Sequence, residues 1–161
     1  MKFHLNFLIA AAVVPALTGV LPGSRDTPTV PSVCGLVTRA EAAAALGAAV
    51  PAGTEKSMTV PLGSGVINME VCFYGSEVLV ARYDLGSGAA ALFRQYRQSL
   101  AASDGYKNVI GVGDEAFAAK GQLYVRKGQF GVNVDVGQAL GGGAKELQAE
   151  KGLATLAVGR L

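Results

Sequence analysis

The sequence INMEVCFYGSEVLV, residues 67–80, decides the fold. In its first eight residues apolar side chains occupy every second position: Ile67, Met69, Val71 and Phe73. A period of two is typical of a half-buried strand. Gly75-Ser76 separates this strand from a second apolar run at residues 78–80. The sequence therefore predicts an antiparallel hairpin closed by a two-residue type II′ turn.

A two-residue turn also predicts the register of this hairpin. It pairs Val71 with Val80, which builds one apolar face, and it places Cys72 opposite Leu79 on the other face. A disulfide from Cys72 would then join the first predicted helix, described below, to the face of the sheet that carries Cys72 and Leu79.

The hairpin pattern repeats downstream. Two more strands flank a short turn: residues 123–126, the turn Lys127-Gly128 and residues 130–136. A two-residue turn places Val125 opposite Phe130 and Tyr124 across from Gly131. The apolar faces of the two strands agree in this register, and the tyrosine ring covers the bare glycine backbone.

Helices separate the strands. Thr38 followed by Glu41 is a capping box, and Gly47 is suited to end the alanine-rich helix between them. Apolar residues at helical spacing predict an amphipathic helix at 89–102 and a last helix at 144–161. Two further strand candidates complete the pattern: residues 56–61 and residues 107–112. We therefore predict an α+β fold, a single antiparallel sheet covered by helices, in the order α-βββ-α-βββ-α.

Length and composition limit the architecture and the partners. The 161 residues fit one domain, which we place at residues 34–161. There are 14 basic and 12 acidic residues, so the net charge is only +2. Such a balance offers no basic surface for nucleic acid, and a nucleic-acid partner is not expected.

The N-terminal region predicts export. Residues 1–24 combine a weakly basic start with an apolar stretch interrupted by Pro15, which is typical of a signal peptide, and residues 25–33 predict a linker. The alternative is an uncleaved anchor, and a membrane is a partner only in that case. We expect a secreted or otherwise extracytoplasmic protein of the cell envelope.

Cys34 and Cys72 are the only cysteines, and export makes a disulfide between them the expected state. The alternatives are half a metal site or a catalytic thiol, and both need a histidine nearby. The one histidine, His4, lies in the predicted leader. We therefore expect no metal site, no cofactor and no Ser-His or Cys-His catalysis. Pro31 and Val33 also do not fit the positions before a lipidated cysteine.

Two glycine-rich segments invite a phosphate-loop interpretation. Gly111-Val112-Gly113 is followed by a strand-like stretch rather than a helix, so a tight turn in which Asp114 bonds its own backbone is the better interpretation. Adjacent strand residues point to opposite faces, which places Asp114 and Glu115 poorly as a catalytic pair. Residues 141–143, all glycine, could cradle an anion at the last helix, but a loose linker is favoured.

One polar face is a candidate binding site. Four residues of the downstream hairpin could form it together: Tyr124, Arg126, Asn133 and Asp135. Asn133 and Asp135 share a face of their strand, as Tyr124 and Arg126 do of theirs. A solvated outer face of the sheet explains the same alternation and is the favoured alternative.

Four segments, in this order, resemble a known family: Cys34 to Gly47 with its capping box, Cys72-Phe73-Tyr74, residues 113–117 and residues 125–128. The family comprises uncharacterised exported proteins and lipoproteins of high-GC Gram-positive cell envelopes. The resemblance covers nearly all of the chain from Cys34 onward. It implies a disulfide between the matched cysteines and an antiparallel α+β domain similar to the fold of the photosystem PsbP and Mog1 proteins. It implies no activity and no catalytic residues.

Two classes of function remain open. The first is a non-enzymatic module that binds an envelope protein, a lipid or a cell-wall component. The second is a histidine-independent enzyme that acts through carboxylates, lysine or tyrosine on a small envelope-derived substrate. We expect the binding module, because no acid, base and nucleophile converge in the predicted fold. A deep pocket holding a carboxylate of strongly shifted pKa would favour the enzyme.

Overall fold

A computed structural model describes residues 30–62 and 65–161 of the chain. The predicted signal peptide, residues 1–24, and most of the predicted linker lie outside the described residues. The end of that linker belongs to the folded domain, since Val33 begins the first helix and is 2% exposed.

The described chain forms five helices and seven strands. They are α1 (Val33–Leu36), α2 (Arg39–Leu46), β1 (Thr54–Leu62), β2 (Gly65–Tyr74), β3 (Val78–Asp84), α3 (Ala89–Leu100), β4 (Lys107–Val109), β5 (Glu115–Ala119), β6 (Gln122–Lys127), β7 (Phe130–Asp135), α4 (Gly137–Leu140) and α5 (Ala144–Gly159). A single 3-10 turn, Gly86–Gly88, leads into α3.

The strands form one antiparallel sheet in the order β1-β2-β3-β7-β6-β5-β4. This confirms the predicted α+β class, a single antiparallel sheet with helices. The second run has four strands instead of the predicted three, because the chain reverses after Val109 and residues 115–119 pair with it as β5. Gly111 and Gly113 adopt positive φ in that reversal, a conformation that suits glycine.

Helices cover both faces of the sheet. Leu123 and Val125 pack with α5, whereas Tyr124 between them packs with Phe93 of α3. Because alternate strand residues point to opposite faces, α3 lies on one face and α5 on the other. The α5 face holds the larger core, which also includes residues of α1 and α2. The α3 face holds a smaller, aromatic core.

The predicted register of the first hairpin is wrong by one residue. The turn has three residues, 75–77, so Cys72 pairs with Val80 and Val71 with Ala81. A shift of one residue exchanges the faces of a strand. Cys72 consequently lies on the α5 face among the core valines, and Val71 lies on the α3 face.

The predicted register of the second hairpin is wrong by two residues, which leaves the faces unchanged. The turn is Gly128-Gln129, and Val125 pairs with Val132. Tyr124 lies opposite Asn133 rather than Gly131. The apolar side of the hairpin is therefore the predicted one, although its partners differ.

The helix with the capping box, which is α2 in the structure, and the disulfide match the prediction. Thr38 Oγ1 accepts a hydrogen bond from the Glu41 N–H at 3.3 Å, and the Glu41 carboxylate accepts one from the Thr38 N–H at 2.7 Å. Gly47 ends α2 with a φ of 68°. Cys34 of α1 is bonded to Cys72 of β2, with their Cα atoms 5.1 Å apart, so the bridge joins a helix to the sheet.

Candidate functional site

An apolar cavity lies between α3 and the sheet. Its volume is about 260 Å³. Aliphatic side chains, Phe93 and three tyrosine rings form most of its wall: Val60, Pro61, Ile67, Met69, Leu85, Leu92, Phe93, Tyr83, Tyr96 and Tyr124. Gly131 and Val132 of β7 complete the lining. The strand and helix residues of this wall come from β1, β2, β3, α3, β6 and β7. We call this space the α3 cavity.

The helix α3 is held above the sheet by aromatic packing at one side of the cavity. The rings of Phe117 and Tyr124 stack on the sheet with centroids 5.0 Å apart. Phe93 and Tyr96 of α3 pack onto them, with centroids 5.4 Å from Phe117 and 5.3 Å from Tyr124. Such pairs add about 0.5–1.5 kcal/mol each beyond the area that they bury. This cluster fixes the helix at one side and leaves the space beside it to smaller side chains.

The phenols of Tyr83 and Tyr124 remain neutral at physiological pH. Burial, and then the nearby Tyr96, raises the pKa of Tyr83 to about 12. Burial also raises the pKa of Tyr124, with further contributions from Tyr96 and Tyr83. A neutral phenol can donate or accept one hydrogen bond. The cavity wall is therefore apolar with a few uncharged polar atoms, a composition typical of small-molecule sites.

The four residues of the predicted binding face lie on the α3 side of β6 and β7, but the structure does not bring them to one surface. Tyr124 and Asn133 face each other under α3, where they are 7% and 4% exposed. Arg126 lies at one end of the hairpin and Asp135 at the other. Of the four, Tyr124 lines the α3 cavity. The favoured alternative, a solvated face, does not describe these two buried residues.

Arg126 is held by two carboxylates. Its guanidinium lies 3.1 Å from Asp114 Oδ2 and 3.0 Å from Glu115 Oε1. Asp114 also accepts a hydrogen bond from the Gly128 N–H at 2.8 Å, so it anchors the β6–β7 turn rather than its own backbone as predicted. Adjacent carboxylates thus converge on one arginine, because Asp114 precedes β5 and is free of the strand alternation.

A hydrogen-bonded chain runs from Tyr124 to the opposite end of the hairpin. The Tyr124 hydroxyl donates to Gln122 Oε1 at 2.6 Å, and Gln122 Nε2 donates to Asp135 Oδ2 at 2.8 Å. Asp135 Oδ1 accepts from the Gly137 N–H at 3.0 Å. These bonds position Asp135 and Gln122 next to the start of α5.

A second cavity, of about 350 Å³, lies there, and we call it the Glu150 cavity. Its polar wall comprises Asp104, Lys107, Lys120, Gln122, Glu146 and Glu150. Glu150 is 1% exposed and Glu146 is 6% exposed. Burial, together with the charge of Glu146, raises the pKa of Glu150 to about 8, while a backbone hydrogen bond from Val136 opposes that rise.

Sequence reasoning missed both cavities. Aromatic residues at helical spacing indicate core packing, and Phe93 and Tyr96 do pack as core while they also line a cavity. Glu146 and Glu150 lie four residues apart in the predicted last helix, residues 144–161. Their spacing is the one available signal, because residues four apart share a helix face.

Comparison with known proteins finds no match among protein-family models, curated proteins or solved structures. Within residues 30–62 and 65–161, no helix has both the length and the apolar character needed to cross a membrane. In the same residues, no group of three or more His, Cys, Asp and Glu side chains is arranged to hold a metal ion. The chemistry of the two cavities is therefore the basis for assigning a function.

Proposed function

We propose that this protein is a non-enzymatic binding module that holds a small apolar molecule in the α3 cavity. The observation that carries the proposal is the cavity wall, in which aliphatic and aromatic side chains surround an open space. The space is partly open to solvent, so its apolar wall residues lack the neighbours that close packing supplies in a protein interior. A ligand that fills the space would gain the contacts that the wall residues lack.

The size of the cavity limits the ligand. Small-molecule pockets begin at about 300 Å³, and an apolar cavity of about 150 Å³ is enough for benzene. The α3 cavity, at about 260 Å³, suits a substituted aromatic ring or a short acyl chain. The tyrosines that line the cavity supply hydroxyl groups for one polar group of the ligand.

The compartment is part of the proposal. We infer an extracytoplasmic protein of the cell envelope, related to the exported family that the sequence resembles. The Cys34–Cys72 disulfide supports an oxidising compartment. Lipids and other envelope components with short apolar groups are then the available ligands.

The alternative, a histidine-independent enzyme, has one feature in its favour. Glu150 is a carboxyl of raised pKa in a cavity, as a general acid requires. A general acid acts on a bond that a nucleophile or an activated water attacks. Lys107 and Lys120 line the same cavity and are the nucleophiles that such an enzyme would have there. Binding remains our proposal, because the apolar wall of the α3 cavity supports it without any reacting group.

A titration with straight-chain alcohols tests the proposal. We expect n-alkanols to shift the backbone amide resonances of α3 and of Gly131 in two-dimensional NMR spectra. The affinity should rise roughly tenfold for every two added methylenes until the cavity is full.

Two substitutions at Leu92 sharpen this test. Leu92→Phe fills part of the cavity and should weaken binding of the longest alkanols about tenfold or more, whereas Leu92→Ala should shift the preferred length upward. The matched control is Leu156→Phe on the solvent side of α5. It should change neither the affinity for the longest alkanols nor the preferred chain length. Affinities that ignore chain length, or that respond alike to Leu92→Phe and Leu156→Phe, would contradict the proposal.

A further inference from the structure

The carboxylates at the start of α5 form an incomplete site. Glu146 and Glu150 are four residues apart, so they project from the same face of the helix into the Glu150 cavity. The Glu150 Oε1 atom is buried, and it has no hydrogen-bond partner within residues 30–62 and 65–161. An unsatisfied buried acceptor is uncommon in native structures, because it costs about 1–3 kcal/mol. A donor from outside the chain would complete the site.

The charge around Glu150 is predominantly negative. Glu146 on α5, Asp135 at the end of β7 and Lys107 on β4 act on it electrostatically. The cavity wall adds Asp104 and Lys120. Besides Glu150 itself, three carboxylates and two ammonium groups therefore surround this site, which favours a ligand with positive charge over an anion.

We propose that the Glu150 cavity binds a small molecule through a primary ammonium group, which donates hydrogen bonds to the carboxylates of Glu150 and Glu146. An ammonium group carries three donors and no acceptor, so it matches a wall rich in carboxylate oxygens. A metal ion fits less well, since the described residues offer no cluster of three ligands. This inference concerns a second cavity and does not rest on the proposed apolar ligand.

The backbone beside Glu146 keeps this site open. A Cβ atom at Gly121 would lie 3.2 Å from Glu146 Oε1, and one at Gly142 would lie 3.5 Å from its Oε2. Side chains at these two positions would therefore occupy the space next to the carboxylate. Bare backbone on both sides leaves that space to a ligand.

The protonation of Glu150 predicts how binding depends on pH. Since its pKa is about 8, the carboxyl is largely neutral at pH 7 in the free protein. An ammonium ligand is bound best by the ionised form, so binding releases a proton. Below pH 8 the affinity should rise about tenfold per pH unit, and it should level off above that value and then fall once the amine itself loses its proton.

The test is an NMR titration of the full-length protein with ethanolamine and with glucosamine. Ethanolamine represents a lipid headgroup and glucosamine an amino sugar, so the two arms distinguish the sources of the amine. N-acetylglucosamine is the matched control, because acetylation removes the charge from the same sugar. We expect at least one amine to shift the amide resonances of Gly121 and Gly142, with about tenfold tighter binding at pH 7 than at pH 6.

Variants assign the effect to Glu150. Glu150→Gln keeps the shape of the side chain and should weaken amine binding at least tenfold and abolish its pH dependence. Glu77→Gln removes a carboxylate from the distant β2–β3 turn and should change neither the amine affinity nor its pH dependence. If Glu150→Gln fails to fold, Glu146→Gln serves in its place, with the same loss of affinity expected. Absence of binding by both amines, equal binding of N-acetylglucosamine or an unaltered Glu150→Gln variant would overturn the proposal.

Discussion

At the scale of single residues, Gly53 is the position where the disulfide leaves least room. A Cβ atom there would lie 2.8 Å from both sulfur atoms of the bridge and 3.0 Å from Tyr74 Cε1. The Tyr74 ring cannot move away, because it is 1% exposed and its hydroxyl donates a hydrogen bond to the Val37 carbonyl. The disulfide is fixed by its bond between α1 and β2. Glycine is thus required at residue 53 by packing rather than by backbone conformation.

We predict that Gly53→Ala lowers the free energy of unfolding by about 1–3 kcal/mol, since overpacking forces its neighbours to move. Gly152→Ala is the matched control, because no atom lies within 4 Å of a Cβ there and the residue is inside α5. That change should be neutral or stabilise by up to about 1 kcal/mol. Urea denaturation measures both, and equal effects of the two substitutions would contradict the packing argument.

The raised pKa of Glu150 leads us to predict an unusual pH dependence of the stability. Its pKa is raised from 4.5 in the unfolded chain to about 8 in the folded protein, so the folded state binds more protons between these values. The contribution of Glu150 to stability therefore falls as the pH rises from 4.5 to 8, by at most about 1.4 kcal/mol per pH unit.

Glu150→Gln should remove this dependence, so the variant becomes more stable than the parent as the pH rises toward 8. Thermal unfolding of both proteins between pH 5 and pH 8.5 measures the difference. Stability curves that run parallel across this range would show that Glu150 is not a buried acid of raised pKa.

At the scale of elements, the hairpins show what a sequence can predict. The alternation in residues 67–80 correctly predicts two antiparallel strands, but it does not fix the length of the turn between them. A two-residue turn and a three-residue turn both fit Gly75-Ser76-Glu77, and they place Cys72 on opposite faces. Burial decides the outcome: the three-residue turn places Cys72 and Tyr74 in the core beside α1. In the second hairpin both solutions bury the same side chains, and the predicted faces are accordingly correct.

One ion pair joins the two ends of the described chain. Arg160, which follows α5, binds Glu41 of α2 with its two terminal nitrogens at 2.6 and 2.8 Å. The same guanidinium donates to the Leu36 carbonyl at 2.8 Å. The hydrogen bonds from Arg160, and then those from Thr38, lower the pKa of Glu41 to about 2. Helix α5 is therefore tied to the capping box of α2.

We predict that Glu41→Gln and Arg160→Gln each destabilise the protein by about 1–2 kcal/mol at pH 7, and that the double variant costs less than their sum. Because the pKa of Glu41 is lowered, its contribution is complete above about pH 4.5 and is lost as the pH falls toward 2. Unfolding of the four proteins at pH 7 and at pH 2.5 measures the coupling. Strict additivity at pH 7 would contradict the tie between the two helices.

At the scale of the whole molecule, the sheet and its helices follow from the sequence, but the cavities do not. Periodicity predicts which side of α3 faces inward, and Phe93 confirms it at 5% exposed. Whether the inward-facing side chains fill the space between a helix and a sheet depends on where the helix lies above the sheet. Here the stacked pair of Phe117 and Tyr124 sets that position, and Phe117 lies on β5, the strand that the predicted order of three strands does not include.

The disulfide is the covalent constraint on this architecture, and it closes a loop with a sequence separation of 38 residues. A loop of this length stabilises a fold by about 3–4 kcal/mol in the chain-entropy model. We predict that Cys34→Ser and Cys72→Ser destabilise by similar amounts, and that the double variant is no worse than either. Denaturation of the three variants tests this prediction, and a double variant as destabilised as the sum of the two would contradict it.

The central claim is that the α3 cavity holds a small apolar ligand, and the most direct measurement is of intermolecular nuclear Overhauser effects with bound decanol. The claim predicts contacts from the alkyl protons to the side chains of Leu92 and Met69 and to the ring protons of Tyr96, all of which line this cavity. These contacts should vanish in Leu92→Phe and persist in Leu156→Phe. Contacts confined to exposed side chains such as Val66, or none with any wall residue, would contradict the claim.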